Sequence, residues 1–205
     1  MALNSQWNKV YEAKKMAAYP ETEFVRFVAR NYYNYPNRKE VKFFDVGCGA
    51  GSNTWYLARE GFTVAAIDGS IVAIERLKER LDADRLDSML VCADIASLDM
   101  KEDVFDCIVD VSSLCYVPDD EITKVMSQLH KVLKPGGKFF SIAPSNLCYQ
   151  PPFNHTIDGV NLESRFLRRR DLGRQFDAFS EVKVSTYEYG YEDSRIHLWE
   201  THAVK

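Results

Sequence analysis

The 205-residue sequence contains no apolar stretch approaching the length needed to span a bilayer. Residues 1–20 carry charged and polar groups where a secretory leader would have its apolar core. Cysteine is scarce: Cys48, Cys92, Cys107, Cys115 and Cys148 are odd in number and lack paired metal-ligand spacing, which argues against a disulfide framework or a zinc site. Three of them lie in or beside apolar runs, so reduced, buried thiols in a cytoplasmic protein are expected. Positive charge is not in surplus either, and a net charge of -4 gives no general basis for binding nucleic acid. Internal repeats and low-complexity linkers are absent. What is present, 46% hydrophobic residues over 205 positions, fits one domain, residues 1–205, with a substantial core.

The richest segment is Phe43-Phe44-Asp45-Val46-Gly47-Cys48-Gly49-Ala50-Gly51-Ser52-Asn53. Its apolar part lacks the alternation of a half-exposed strand, which predicts a parallel strand covered on both faces. The glycines permit a tight turn close to a ligand, and Ser52 and Asn53 are expected to cap a helix from Thr54 to about Arg59. Strand, glycine turn and helix N-terminus make the nucleotide-binding corner of an open α/β sheet. The dinucleotide fingerprint would place its third glycine at 52, where Ser52 stands; the glycine here is Gly51. Further strands are read at Phe62 to Asp68, Leu90 to Asp94, Val104 to Asp110 and Lys138 to Phe140. Helical periodicity runs from Ile71 to Leu81 and from Ile122 to Leu133, the latter capped by Asp119 and Asp120 and stopped by Pro135-Gly136-Gly137. Regular alternation of strand and helix predicts a mostly parallel sheet. The β-rich runs from Val182 to Tyr189 and Ile196 to Val204 are too close together for anything but an antiparallel hairpin.

Asp45-x-Gly47-x-Gly49-x-Gly51, followed by strands ending in Asp68 and Asp94 and by the Pro-Gly-Gly approach to a fifth strand, resembles the class I S-adenosylmethionine-dependent methyltransferases over roughly residues 38–205. The resemblance implies a three-layer α/β/α sandwich on a seven-stranded, mostly parallel sheet with its last strand antiparallel. It implies S-adenosylmethionine as cofactor, with Asp68 accepting from ribose hydroxyls and Asp94 and Ile95 beside the adenine. Asp45 would order the glycine loop or meet the methionine ammonium through water. Gly47, Cys48, Gly49, Asn53, Gly69, Ser70, Asp110 and Val111 complete the implied cofactor set. The metal set Asp-Asp-Asn of catechol-type enzymes is missing, so no metal is expected. Asn-Pro-Pro-Tyr is missing after strand four, where Asp110-Val111-Ser112-Ser113 stands, which disfavours methylation of base or amide nitrogens.

The same resemblance places the acceptor above the ends of strands four and five. Residues of about 145–165, rich in aromatics, amides and prolines, read as a substrate loop. His155 is the leading candidate base because histidine titrates near neutrality, against the alternative of a surface histidine. Asp110 reads either as an orienting carboxylate or as a cap of the next turn; Tyr116 and Tyr149 read either as pocket lining or as packing. Residues 1–37, with helical patterns broken at Pro20, read as an N-terminal cap that either folds over the cofactor, bringing Tyr11 and Tyr19 to the acceptor, or merely covers the sheet. The arginines around Arg168 read as the solvated face of an amphipathic helix or as an anchor for an anionic acceptor. A loose similarity to surface-polysaccharide pathway enzymes makes a small polar or sugar-linked acceptor plausible. The expectation is an O-methyltransferase, monomeric or homodimeric, with no nucleic-acid or membrane partner. The alternatives are an S-adenosylmethionine-binding assembly protein without turnover and, more remotely, a dehydrogenase.

Overall fold

The computed structural model describes residues 2–13, 16–148, 155–157, 160–162, 164–190 and 195–205. Its centre is a seven-stranded sheet of order β3-β2-β1-β4-β5-β9-β8. The strands are β1 (Lys42–Val46), β2 (Thr63–Asp68), β3 (Met89–Cys92), β4 (Phe105–Val111), β5 (Leu133–Pro144), β8 (Glu181–Tyr189) and β9 (Ile196–Val204). β1 to β5 pair in parallel, and β9 runs antiparallel to both β5 and β8. Two-residue alternation sends Phe43 and Phe44, and Phe139 and Phe140, to opposite faces.

One face is covered by α2 (Thr22–Tyr32), α3 (Ser52–Arg59) and α4 (Ile71–Ala83), which bury Phe24, Phe27, Leu57 and Leu77. The other is covered by α5 (Ile122–Val132) and α6 (Arg169–Gln175), which bury Val125, Leu129 and Leu172 with Phe139 and Trp199. The result is the expected three-layer sandwich. Helix α1 (Ala2–Ala13) belongs to neither large cluster: its Val10 packs with Leu162 of a small hairpin, β6 (His155–Ile157) and β7 (Val160–Leu162).

Several local expectations change. Helix α3 starts at Ser52, so Ser52 and Asn53 are its first helical residues, not its caps; the cap position is Gly51, left-handed at φ 85°. Asp119 and Asp120 do not cap α5, because Asp119 pairs with Arg165 at 2.7 Å and the helix opens from Glu121 without a side-chain cap. The same helix ends at Val132. Leu133 already pairs with Phe105, and Pro135-Gly136-Gly137 lies inside β5 at a register shift. Gly137 is needed there, since a Cβ would sit 2.8 Å from the Lys134 carbonyl oxygen. The alternation of strand and helix lapses after β3, where Asp94 caps only a 3-10 turn, Ile95–Ser97, by accepting from the Ala96 N–H at 3.0 Å. The arginine-rich stretch is helical only over Arg169–Gln175; before it, Leu167 forms a β-bridge with Ser145.

Candidate functional site

The sheet order reverses between β1 and β4, and the carboxyl ends of the strands open a crevice at that point. A cavity of about 300 Å³ lies there. Its floor is Val46, Gly47, Ile67, Asp68, Gly69, Ala93, Asp94, Ile95, Val111 and Ser112, all at strand ends. Its other wall is Trp7, Tyr11 and Met16 from the N-terminal region, with Leu114, Tyr116 and Val117 from the turn after β4.

The three motif glycines are required for three different reasons. All have positive φ, but a Cβ at Gly47 would meet Ser113 Cβ at 2.2 Å, one at Gly49 would meet the Tyr11 hydroxyl at 2.5 Å, and one at Gly51 would meet Leu77 of α4 at 2.1 Å. Gly47 thus admits the turn after β4, Gly49 seats the roof helix, and Gly51 lets α4 close on the loop. Asp68 holds the loop from the neighbouring strand, accepting from the Gly49 N–H at 2.9 Å and the Ser70 N–H at 2.8 Å. Burial raises its pKa, while those two backbone bonds pull it down.

Asp45 lies beneath the floor, 1% exposed, with Oδ2 accepting from the Thr54 hydroxyl at 2.6 Å. Desolvation pushes its pKa up to about 7, against the lowering effect of Thr54. Asp45 Oδ1 and the buried Asn53 Oδ1 have no hydrogen-bond partner among the described residues. Together with Asp68 and Asp94 they form an acceptor-rich set that fits a cationic ligand bearing hydroxyl and amino donors, as S-adenosylmethionine is. The Cys48 thiol is buried and pushed well above its ordinary pKa, first by desolvation and then by Asp45, which leaves it unreactive near neutrality.

The turn after β4 is organised by Asp110. Its Oδ1 accepts from the Ser113 and Leu114 N–H groups, each at 3.0 Å, and its Oδ2 accepts from the Ser141 hydroxyl at 2.8 Å. Ser112 adopts a left-handed φ of 56° in this turn, and its N–H bonds to the Ile142 carbonyl at 2.8 Å. Arg165 grips the same turn from behind. Its N–H reaches the Cys115 carbonyl at 2.8 Å, and its guanidinium reaches the Leu114 carbonyl at 2.9 Å and Asp119 at 2.7 Å.

The roof is aromatic. Trp7 meets Tyr116 edge to face at 4.8 Å and Tyr11 at 6.0 Å. Burial raises the pKa of both Tyr11 and Tyr116, so each phenol stays protonated at neutral pH. Helix α1 is tethered where the Ser70 hydroxyl donates to Asn8 at 2.7 Å; Ser70 also caps α4 by accepting from the Ala73 N–H.

Of the residues singled out from sequence, the cavity brings together Tyr11, Gly47, Asp68, Gly69, Asp94, Ile95, Val111 and Tyr116. Asp45, Cys48, Gly49, Asn53, Ser70 and Asp110 do not line it; they hold its floor or its neighbours in place. Tyr19 is 71% exposed and packs on Trp55. Arg168 is exposed at the start of α6, where its N–H bonds to Asp171, and it does not line the cavity. His155 is paired through its backbone with Leu162, and Tyr149 lies outside the described residues. Sequence reasoning did not single out Trp7, Met16, Ser112, Ser113, Leu114 and Val117 as site residues. Trp7 and Met16 had a signal in the N-terminal pattern, and Ser112, Ser113 and Leu114 in the run after the fourth strand where the resemblance places the acceptor; Val117 had none. A second cavity, about 560 Å³, lies between α5 and α6 with Asp119, Arg165 and Arg174 among its lining, away from the motif loops.

Comparison with known proteins agrees with this geometry. A family model described as a methyltransferase domain matches residues 43–137. An uncharacterized methyltransferase of Synechocystis is 30% identical over 155 residues, which cover 73% of this chain and 71% of that protein. A ubiquinone biosynthesis O-methyltransferase of Coxiella burnetii is 33% identical over 96 residues, covering 47% of this chain and 40% of its own length. Among solved structures, an S-adenosylmethionine-dependent methyltransferase from Methanosarcina mazei shares the fold with a TM-score of 0.68, at 19% identity, over 87% of this chain and 96% of that one. With the glycine loop, the acidic strand ends and the sheet order already in place, the chain belongs to the class I S-adenosylmethionine-dependent methyltransferases.

Proposed function

We propose that this methyltransferase acts on an oxygen atom of a small, free acceptor that enters beneath the α1 roof. The observation that carries this reading is the state of Asp110. An amino acceptor is best served by a free carboxylate or amide at the end of the fourth strand. Here Asp110 is buried and does not line the cavity; its Oδ1 is taken by the turn's Ser113 and Leu114 N–H groups and its Oδ2 by the Ser141 hydroxyl of β5. A roof packed on the floor leaves room for a small molecule and little for a polymer. The name of the Coxiella relative supports oxygen as the acceptor atom. Among the described residues, no helix is long and apolar enough to cross a membrane.

The cofactor supplies the methyl group as a sulfonium electrophile together with its leaving group. The protein's residues bind, orient and exclude water. In this reading Asp68 accepts from the ribose hydroxyls, and Asp94 and Ile95 border the adenine. Gly47, Gly69 and Val111 let the backbone approach the ligand, while Asp45 and Asn53 carry the negative potential under the methionine end. Tyr11 and Tyr116 stay protonated and shape the acceptor side, so neither takes the acceptor's proton. His155, in β6 beside α1, is the proposed base. Transfer of an isotopically labelled methyl group to a panel of hydroxylated small molecules, with the product read by NMR, tests the proposal. A methyl on oxygen is expected; product carrying it only on nitrogen or sulfur overturns it.

A further inference from the structure

The roof has a definite chemical character that the floor does not share. Trp7, Tyr11 and Tyr116 present aromatic surface, joined by Met16, Leu114 and Val117. No lining side chain among the described residues is cationic, whereas Asp68 and Asp94 bring two carboxylates to the same cavity. The guanidinium behind the turn, Arg165, is committed to the Leu114 carbonyl and to Asp119. Arg168 does not line the cavity.

A phosphate acceptor needs a cation beyond the cofactor's sulfonium, because desolvating a dianion in a cavity that holds two carboxylates is strongly unfavourable. A flat apolar body has the opposite preference. It gains from contact with ring faces and edges and loses little on leaving water. The floor is matched to the cofactor, so the aromatic roof is the surface left for the acceptor.

We propose that the acceptor is an uncharged molecule with a planar, apolar body, held against Trp7 and Tyr116, and that phosphorylated acceptors are rejected. This rests on the reading of an oxygen acceptor beneath α1 and narrows it from small polar or sugar-linked molecules to aromatic or comparably flat alcohols. Specificity then resides in Trp7 and Tyr116, with Arg168 playing no part.

The test is calorimetric titration of the S-adenosylhomocysteine-saturated protein with a matched pair of probes, naphthol and naphthyl phosphate. Naphthol is expected to bind at least about tenfold more tightly than its phosphate ester. Trp7→Leu and Tyr116→Leu should each weaken naphthol about five- to tenfold, with S-adenosylhomocysteine affinity held within about twofold as the control for folding. Met16→Lys, a change at the half-open rim, should narrow the gap by improving the phosphate ester. Equal or tighter binding of naphthyl phosphate to the native protein overturns the proposal, as does naphthol affinity indifferent to both Leu variants in protein that still binds S-adenosylhomocysteine. The acceptor atom is decided separately by product analysis: a sulfur- or nitrogen-methylated product would remove the oxygen reading while leaving the binding preference standing.

Discussion

The floor and the roof of the cavity are built on different principles. The floor is a set of strand ends locked by backbone hydrogen bonds: Asp68 to two N–H groups, Asp110 to two more, and the Cys48 N–H to the Ile67 carbonyl. The roof is a helix and a turn held by ring contacts, by the hydrogen bond from Ser70 to Asn8, and by the grip of Arg165. Backbone locks fix positions to fractions of an ångström and tolerate no added atoms. Side-chain contacts tolerate substitution and can be remodelled. A methyltransferase needs the first for an unchanging cofactor and the second for an acceptor that differs from one enzyme to another.

The contrast is broken most severely at Gly47. Gly47→Ala puts a Cβ 2.2 Å from Ser113 Cβ at a φ of 64°, so both the loop and the turn after β4 must shift. A loss of about 2–4 kcal/mol in stability is expected, together with loss of measurable S-adenosylhomocysteine binding. Thermal melts and calorimetry check this; a variant with native affinity would mean the floor is not rigid.

A more selective break lies in the roof. Arg165 does not line the cavity at the strand ends, yet it fixes the turn that carries Tyr116. Arg165→Ala leaves the Leu114 carbonyl without that donor and Asp119 without its cation, and should raise the acceptor KM by about tenfold. Cofactor affinity should change by less than about threefold, and Arg165→Lys should restore part of the loss. Steady-state kinetics in each substrate separate the two effects. Equal losses for cofactor and acceptor would show that the turn serves the floor as much as the roof.

The smallest effect is electrostatic. Asp45 has a folded-state pKa of about 7, raised chiefly by desolvation and, to a lesser degree, by Asp68 and Asp110. Because the folded value is raised, its contribution to stability is fully present below the unfolded value near 3.8 and is lost as pH rises through about 7. Cofactor binding runs the other way, since the α-ammonium that S-adenosylmethionine and S-adenosylhomocysteine share favours the ionised carboxylate. Affinity for S-adenosylhomocysteine should therefore rise about tenfold between about pH 6 and 8 and then level off. Thr54→Val removes a bond that lowers the Asp45 pKa and should move the rise to higher pH. A flat profile in both proteins would detach Asp45 from the cofactor.

Sequence was informative where one residue type had one physical use. Apolar runs ending in Asp45, Asp68 and Asp94 read directly as parallel strands reaching a polar rim, and the C-terminal hairpin followed from its short gap. It was less informative where one residue type had several uses. Asp119 looked like a helix cap and is instead the partner of Arg165; Pro135-Gly136-Gly137 looked like a helix stop and is a bulged strand entry. Asp110 read equally as an orienting carboxylate or as a cap of the next turn, and it is the second, organising the turn that presents Val111 and Ser112. Trp7 and Met16 were hardest to assign, because apolar residues of an N-terminal segment give the same periodic signal whether they cover a core or a substrate, and Met16 in the event lies beyond the end of α1.

The Ser70 hydroxyl couples two helices that would otherwise move separately. It completes the first turn of α4 and holds Asn8 of α1, while Leu77, two turns along α4, fills the space that Gly51 leaves open. Lifting α1 to exchange ligands therefore means either parting Asn8 from Ser70 or dragging α4 out of its seat in the glycine loop. The first is the easier route, and it assigns ligand exchange to collective helix motion on a scale of about microseconds to milliseconds rather than to side-chain flips. The Ser70 hydroxyl thus ties the roof helix to the helix that closes on the glycine loop.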